Sequence, residues 1–191
     1  MAQLTTGNGL PDVVVTGIAM TTALSTDAEN TWKKLLDGQS GIRKLEDPFI
    51  EEYDLPVRIG GHLLEDFDGE LNKVELRRMS YLQKMATVVG RRAWQNAGSP
   101  EVDTRRLAVS VGTGMGSSEE LLFAYDAMRT KGLRAVSPLV VQKFMPNGPA
   151  AVIGLELGAK AGVTTVISAC ASGSEAIATA WRNIAYGEAD M

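Results

Sequence analysis

The segment covering residues 162–187 restricts the fold of this chain more than any other part of it. It opens with a β-branched run at 163–167, typical of a buried strand, and continues from Ser174 with helical spacing that Gly187 stops. The turn between them holds only small residues: Ser168, Ala169, Cys170, Ala171, Ser172 and Gly173. A strand joined to a helix by so short a turn predicts an α/β unit that presents Cys170 at the start of the helix.

Cys170 is the only cysteine of the chain. A helix N-terminus offers free N–H groups and the positive end of the helix dipole, so this position predicts a nucleophilic thiolate. The alternative is a small buried hydrophobic residue, which is the usual role of a single cysteine. The only histidine, His62, lies in a loop-like stretch far upstream, and we expect it to be structural rather than the base for Cys170. One cysteine and one histidine without ligand spacing predict no metal site.

Strands and helices alternate along the rest of the chain, which indicates an α/β fold with parallel strand pairs. The further predicted strands cover residues 13–18, 57–59 and 107–111. The further predicted helices run from a capping box at Thr26 to Gly38, over 73–97, from a second capping box at Ser117 to Gly132, and over 146–157. We expect residues 1–12 to form a flexible polar arm and residues 13–191 to form one domain.

Composition excludes several classes of protein. A chain of 191 residues that is 45% hydrophobic and 22% charged suits a globular domain with a sizeable core. The net charge of −4 argues against a general nucleic-acid binder. No apolar run reaches the roughly 18 residues of a membrane span, and the first residues lack the pattern of a signal peptide. With its single cysteine, the chain is expected to be a soluble cytoplasmic protein.

A glycine-rich segment at 112–116, Gly-Thr-Gly-Met-Gly, follows a predicted strand and precedes a predicted helix. Such a position suggests a dinucleotide site, but the fingerprint G-x-G-x-x-G requires glycine where this chain has Ser117. The acidic residue that would bind the ribose, about 20 residues further on, is also missing. We therefore expect no nucleotide cofactor.

The sequence Ala-Cys-Ala-Ser-Gly at 169–173 resembles the nucleophile motif of the β-ketoacyl-acyl-carrier-protein synthases, condensing enzymes of the thiolase fold. The likeness continues in order through VVVTGI at 13–18, SGI at 40–42, RRM at 77–79, GTGMG at 112–116, SP at 137–138 and PNG at 146–148. It is closest to the mycobacterial elongating synthases of the KasB type, which extend very long acyl chains for mycolic acids. The resemblance implies a thiolase-like α/β fold, with a mixed sheet and helices on both faces, and no cofactor.

The family also has a second half, which contributes two histidines and a lysine to catalysis. The resemblance therefore implies that this chain is an N-terminal half, whose last residues lie where the family begins its next core strand. Cys170 would carry the acyl chain, and its backbone N–H would be one oxyanion-hole donor. Met115 matches a residue that lines the acyl pocket, although a plain glycine turn fits the motif as well. Residues 164–168 would pair with their two-fold mate in a homodimer.

Lys73, Arg77 and Arg78 form a basic cluster at the start of the predicted long helix. Arg77 and Arg78 match positions that dock the acidic acyl carrier protein in the family, and we assign Lys73 to the same docking site. The alternative is a solvated helix face, as for most such clusters. The pairs at 91–92 and 105–106 are expected to be ordinary surface charge.

Two functions follow from the resemblance. The first is condensation of a malonyl-carrier thioester, with loss of carbon dioxide, onto a long acyl chain held by Cys170, which gives a 3-oxoacyl product. The second is a truncated, non-catalytic half or a subunit that needs a complementary C-terminal half, and we expect the 191-residue chain alone to be inactive. A cysteine hydrolase is a weaker alternative, because the spacing G-x-S-x-G and a downstream histidine are absent from the sequence.

Overall fold

The computed structural model describes residues 9–191, so most of the arm predicted at 1–12 lies outside the described residues. The helices are α1 (Ala28–Leu36), α2 (Pro48–Glu52), α3 (Lys73–Arg78), α4 (Tyr81–Asn96), α5 (Ser118–Lys131), α6 (Val140–Phe144), α7 (Gly148–Leu157) and α8 (Ser172–Ala185). The strands are β1 (Arg43–Lys44), β2 (Ile59–Gly60), β3 (Ala108–Gly112) and β4 (Gly162–Val166). Phe67, Leu71 and Val88 form a buried apolar cluster. Within residues 9–191, none of the helices combines the length and the apolar character needed to span a membrane.

The parallel pair of β3 and β4 forms the centre of the α/β arrangement, while β1 and β2 pair antiparallel. Gly112 of β3 faces α8, because a Cβ there would lie 2.3 Å from the Ser172 carbonyl oxygen. Val163 of β4 faces α7, where it packs against Gly154. Gly112 lies opposite Val166, three residues from Val163, and successive side chains alternate between the faces of a sheet. Helices α8 and α7 therefore cover opposite faces, which confirms the predicted arrangement.

The second edge of β3 is occupied at its start by the last residue of the chain. Ala108 N–H donates to the Met191 carbonyl at 2.8 Å, and Met191 N–H donates to the Arg106 carbonyl at 3.4 Å. The Arg106 carbonyl also accepts from Asp190 N–H, at 2.8 Å, so residues 190 and 191 are both held against the start of β3.

The strand predicted at 13–18 was wrong. Among the described residues this segment has no strand partner, and Val14 and Val15 are 69% and 86% exposed. It lies instead against α4, where Ile18 N–H donates to Asn96 Oδ1 at 2.9 Å. A β-branched run favours extended backbone, but a strand also needs a neighbour that takes up its hydrogen bonds.

The single helix predicted over 73–97 is two helices, α3 and α4. Ser80 breaks it by acting as the N-cap of α4, with a capping box in which Gln83 Oε1 accepts from Ser80 N–H at 2.9 Å. Apolar residues keep helical spacing across positions 76, 79 and 82, and this spacing concealed the break. Gly98, at φ +85°, follows the end of α4 as predicted.

The two predicted capping boxes, at Thr26 and Ser117, were also wrong. Asp27 caps α1, and its hydrogen bonds from the Asn30 side chain and backbone hold the pKa of its carboxyl below the ordinary value. The Ser117 hydroxyl makes no capping bond and instead lies 2.6 Å from the hydroxyl of Ser80, with both residues buried. The predicted stops at Gly38 and Gly132 are confirmed, because both lie just beyond a helix at positive φ. The segment between α5 and α7 contains the short helix α6.

Candidate active site

Cys170 lies on a single turn of 3₁₀-helix, Ala169–Ala171, directly between β4 and α8. Its side chain is exposed, unlike the buried cysteine of the alternative interpretation. Ala169 has φ +49°, a left-handed conformation that costs a non-glycine residue about 1–2 kcal/mol and that turns the chain sharply. The helix begins at Ser172, two residues earlier than predicted, so Cys170 lies almost at its N-terminus.

Hydrogen bonds from residues on both sides of Cys170 hold this turn. Ser168 N–H donates to Ser172 Oγ at 2.8 Å, and Ser172 Oγ lies 2.7 Å from the Ala169 carbonyl oxygen. The Ser168 hydroxyl donates to a Glu175 carboxylate oxygen in the first turn of α8. Sequence reasoning gave no role to Ser172, although it lies in the motif at 169–173, and it gave none to Glu175.

The glycine-rich loop at 113–116 lies beside the Cys170 turn. Ser172 Oγ is 3.0 Å from the Thr113 carbonyl oxygen, and Thr113 N–H donates to the Val166 carbonyl at 3.0 Å. Met115 is 74% exposed, so the described residues enclose little of its side chain. The structure thus brings the predicted nucleophile and the predicted pocket loop together through Thr113 and Ser172.

The basic cluster Lys73, Arg77 and Arg78 lies on α3, with all three residues exposed. Within the part of the chain that the structure describes, these side chains form no ion pair. Three cations on one short helix therefore remain without an anionic partner among the described residues.

The arginine pair on α4 is neutralised within the chain, in contrast to that cluster. Each guanidinium hydrogen-bonds two carboxylates, and these bonds raise the pKa of both Arg91 and Arg92 above the usual value. The partners are Glu156 and Glu75 for Arg91, and Glu65 and Glu70 for Arg92. The Arg105 and Arg106 side chains pair with Asp103 and Asp190. The hydrogen bonds from Arg92 hold the pKa of Glu65 below its ordinary value, against the opposing effect of burial.

His62 lies in the region of β1 and β2. Its Nε2 is 3.5 Å from Asp47 Oδ2, and its carbonyl oxygen accepts from Arg43 Nη2 at 2.8 Å. Its recorded partners are therefore groups of that region and not Cys170.

Comparison with known proteins gives one consistent family. Residues 11–191 match the sequence profile described as "Beta-ketoacyl synthase, N-terminal domain". The chain is 70% identical over 190 residues to "3-oxoacyl-[acyl-carrier-protein] synthase 2" of Mycobacterium tuberculosis, covering 100% of this chain and 46% of the relative. It is 72% identical over 188 residues to the Mycobacterium leprae protein of the same name, covering 98% and 45%.

Among solved structures, "The ishigamide ketosynthase/chain length factor" superposes with a TM-score of 0.81 at 24% identity, over 92% of this chain and 44% of that one. This likeness bears on the fold alone. The chain spans about half the length of the curated relatives it matches.

Proposed function

Because this chain belongs to the β-ketoacyl synthase family, whose N-terminal domain it matches, we propose that it forms the nucleophile-bearing half of a 3-oxoacyl-acyl-carrier-protein synthase. The thiolase-like fold expected from the resemblance is confirmed by these relatives and by the ketosynthase structure. The observation that carries the proposal is the exposed Cys170 on its strained turn between β4 and α8. The proposal is further supported by the resemblance of residues 169–173 to the family's nucleophile motif.

In the first step, Cys170 Sγ attacks the carbonyl carbon of an acyl thioester on acyl carrier protein. A new C–S bond forms to Cys170, the old C–S bond breaks, and the carrier sulfur leaves with its electrons and takes up the proton that the Cys170 thiol has lost. Negative charge develops on the carbonyl oxygen meanwhile, and hydrogen-bond donors placed there lower the barrier. The Cys170 N–H makes no hydrogen bond within residues 9–191, which leaves it free for this role.

In the second step, a malonyl-carrier thioester loses carbon dioxide, and the resulting carbanion attacks the acyl carbonyl. The bond to Cys170 breaks, the thiolate is released, and a 3-oxoacyl-carrier product two carbons longer remains. The histidines that assist decarboxylation and the second oxyanion donor belong, in this family, to the other half of the enzyme. We assign the reaction to acyl elongation toward mycolic acids in the cytoplasm, on the identity to the mycobacterial proteins.

The proposed carrier docking site is the basic cluster of Lys73, Arg77 and Arg78 on α3. It is supported by their exposure and their lack of carboxylate partners, whereas Arg91 and Arg92 are already paired. Acyl carrier protein is acidic, so these charges would act mainly on the rate of encounter.

Met115 is proposed to line the acyl pocket. Its loop contacts the Cys170 turn through Thr113, and its apolar side chain is exposed at that edge. The walls that would enclose it would come from groups outside residues 9–191.

A homodimer through residues 164–168 is proposed from the outer edge of β4. Within residues 9–191, the sheet of β3 and β4 has only these two strands, so this edge has no neighbour. Ile167 is 55% exposed, and open strand edges with apolar residues favour pairing with another chain. We further propose residues 13–191 as the N-terminal domain of the synthase.

A second candidate is that the chain is a non-catalytic half that needs a complementary C-terminal half. The observation in its favour is the coverage of only 46% of the relative. Intact mass spectrometry after incubation with an acyl-carrier thioester separates the two. We expect acyl adducts on the wild-type chain and none on Cys170→Ser, while condensation requires added C-terminal half. A folded wild-type chain that stays unacylated even with that half present would contradict the proposed function.

A further inference from the structure

The Ser172 hydroxyl connects three parts of the backbone around Cys170. It accepts a hydrogen bond from Ser168 N–H, and it lies within donating distance of the Ala169 and Thr113 carbonyl oxygens, at 2.7 and 3.0 Å. A hydroxyl carries one hydrogen, so it donates to one of these carbonyls at a time. Ser172 is only 4% exposed, so water does not readily replace these bonds.

The turn that Ser172 holds needs such support. Ala169 has the positive φ that L-residues avoid, and unfavourable backbone conformations persist only where surrounding contacts enforce them. The Ser172 hydroxyl contacts the backbone N–H of Ser168, the residue before Ala169, and the carbonyl oxygen of Ala169 itself. The contact to Thr113 fixes the same turn to the neighbouring loop.

We infer that Ser172 is a positioning residue, which sets the orientation of Cys170 by holding the backbone turn that carries it. The inference deepens the proposed function, because it concerns the same nucleophile. Glu175 accepts a hydrogen bond from the Ser168 hydroxyl on the exposed side of the turn. This bond stabilises the turn less than the Ser172 bonds do, because water competes for an exposed hydrogen bond. Ser172 acts through the turn, because its buried hydroxyl is engaged by the backbone of residues 168, 169 and 113.

The test compares Ser172→Ala with Ser174→Ala in the full 191-residue chain. Ser174 is a matched control, because it is exposed two residues away and its hydroxyl makes no hydrogen bond within residues 9–191. The readout is the rate of Cys170 alkylation by iodoacetamide, with circular dichroism to verify folding. Loss of one buried hydrogen bond corresponds to about a five- to tenfold slower reaction in Ser172→Ala, against an unchanged rate in Ser174→Ala. An unchanged or faster rate in folded Ser172→Ala would overturn the inference.

Two further measurements keep the inference testable if Ser172→Ala does not fold. Ser172→Thr retains the hydroxyl, so its alkylation rate should stay within about twofold of wild type. In the wild-type chain, the Ser168 amide should be protected from hydrogen exchange, because Ser172 Oγ accepts its proton. Exchange at the rate of an exposed amide would refute the bond on which the inference depends.

Alkylation needs neither carrier nor condensation, so the two proposals can fail separately. A slower alkylation in Ser172→Ala together with no acylation of wild type would leave Ser172 as a positioning residue and refute the proposed function. In a condensing enzyme reconstituted with the second half, Ser172→Ala should lower kcat and leave KM for the carrier thioester unchanged, with Ser172→Thr restoring kcat.

Discussion

Gly112→Ala should destabilise the protein through a steric conflict directly beneath the Cys170 turn. A Cβ at position 112 would lie 2.3 Å from the Ser172 carbonyl oxygen and 2.8 Å from the Gly173 nitrogen. Both are backbone atoms at the start of α8, so no side chain can rotate away. Forcing one extra methyl into a packed site costs about 1–3 kcal/mol. For a chain of this size that corresponds to a fall in Tm of roughly 2–12 °C.

Gly114→Ala is the matched control, because it lies in the same glycine-rich loop with no atom within 4 Å of the added Cβ. Its Tm should stay equal to wild type or rise slightly, since alanine restricts the unfolded chain by about 0.4–1 kcal/mol more than glycine. Differential scanning calorimetry of the three proteins measures both values. Because Gly112→Ala must displace the first turn of α8, we also expect slower Cys170 alkylation in that variant alone. Equal Tm values for the two variants would refute the steric argument.

Three further predictions test the docking cluster, the ion pairs and the strand edge. Replacing Arg77 and Arg78 together by Glu should raise the apparent KM for a carrier-bound substrate and weaken its salt dependence; an equal effect on a carrier-free thioester would instead indicate damage to the fold. Hydrogen bonds from Arg92 lower the pKa of Glu65 in the folded protein. The contribution of this pair to the free energy of unfolding is therefore complete above the ordinary pKa of glutamate, and it is lost as the pH falls through the lowered pKa. Wild type should therefore lose stability on acidification in urea titrations, and Glu65→Gln should lose less over the same interval; parallel pH profiles would contradict this. Light scattering of the isolated chain should give the mass of a dimer formed through residues 164–168, and a monomer would refute that interface.

Local signals in the sequence predicted the elements around the candidate site. The β-branched run and the glycine at 187 gave β4 and α8 within two residues, and the small residues between them located the turn of Cys170. The features that local signals did not predict are contacts between residues far apart in the sequence. Ser172 meets Thr113 across 59 positions, and Ser80 meets Ser117 across 37. No spacing rule reaches so far.

Strand prediction failed where a neighbour was required. The run at 13–18 has the same β-branched character as β4. Of these two segments, however, β4 alone pairs with another strand among residues 9–191. Propensity describes the backbone conformation that a residue favours, whereas a ladder needs a second chain segment at hydrogen-bonding distance. The break before Ser80 was missed for a related reason, because the apolar spacing reports which face is buried and not whether the helix is continuous.

The buried contact between Ser80 and Ser117 constrains how the two positions can change during evolution. Each hydroxyl is the partner of the other at 2.6 Å, and neither residue is more than 1% exposed. A change to alanine at one position alone leaves a buried polar group without that partner, at a cost of about 1–3 kcal/mol, whereas a double change leaves no unpaired hydroxyl and loses in addition only the capping bond from Gln83 N–H to Ser80 Oγ. Natural sequences of this fold should therefore substitute positions 80 and 117 in concert. Because Ser80 follows the basic helix and Ser117 follows the glycine-rich loop, this pair would couple sequence change next to the proposed carrier-docking helix with change next to the loop beside Cys170.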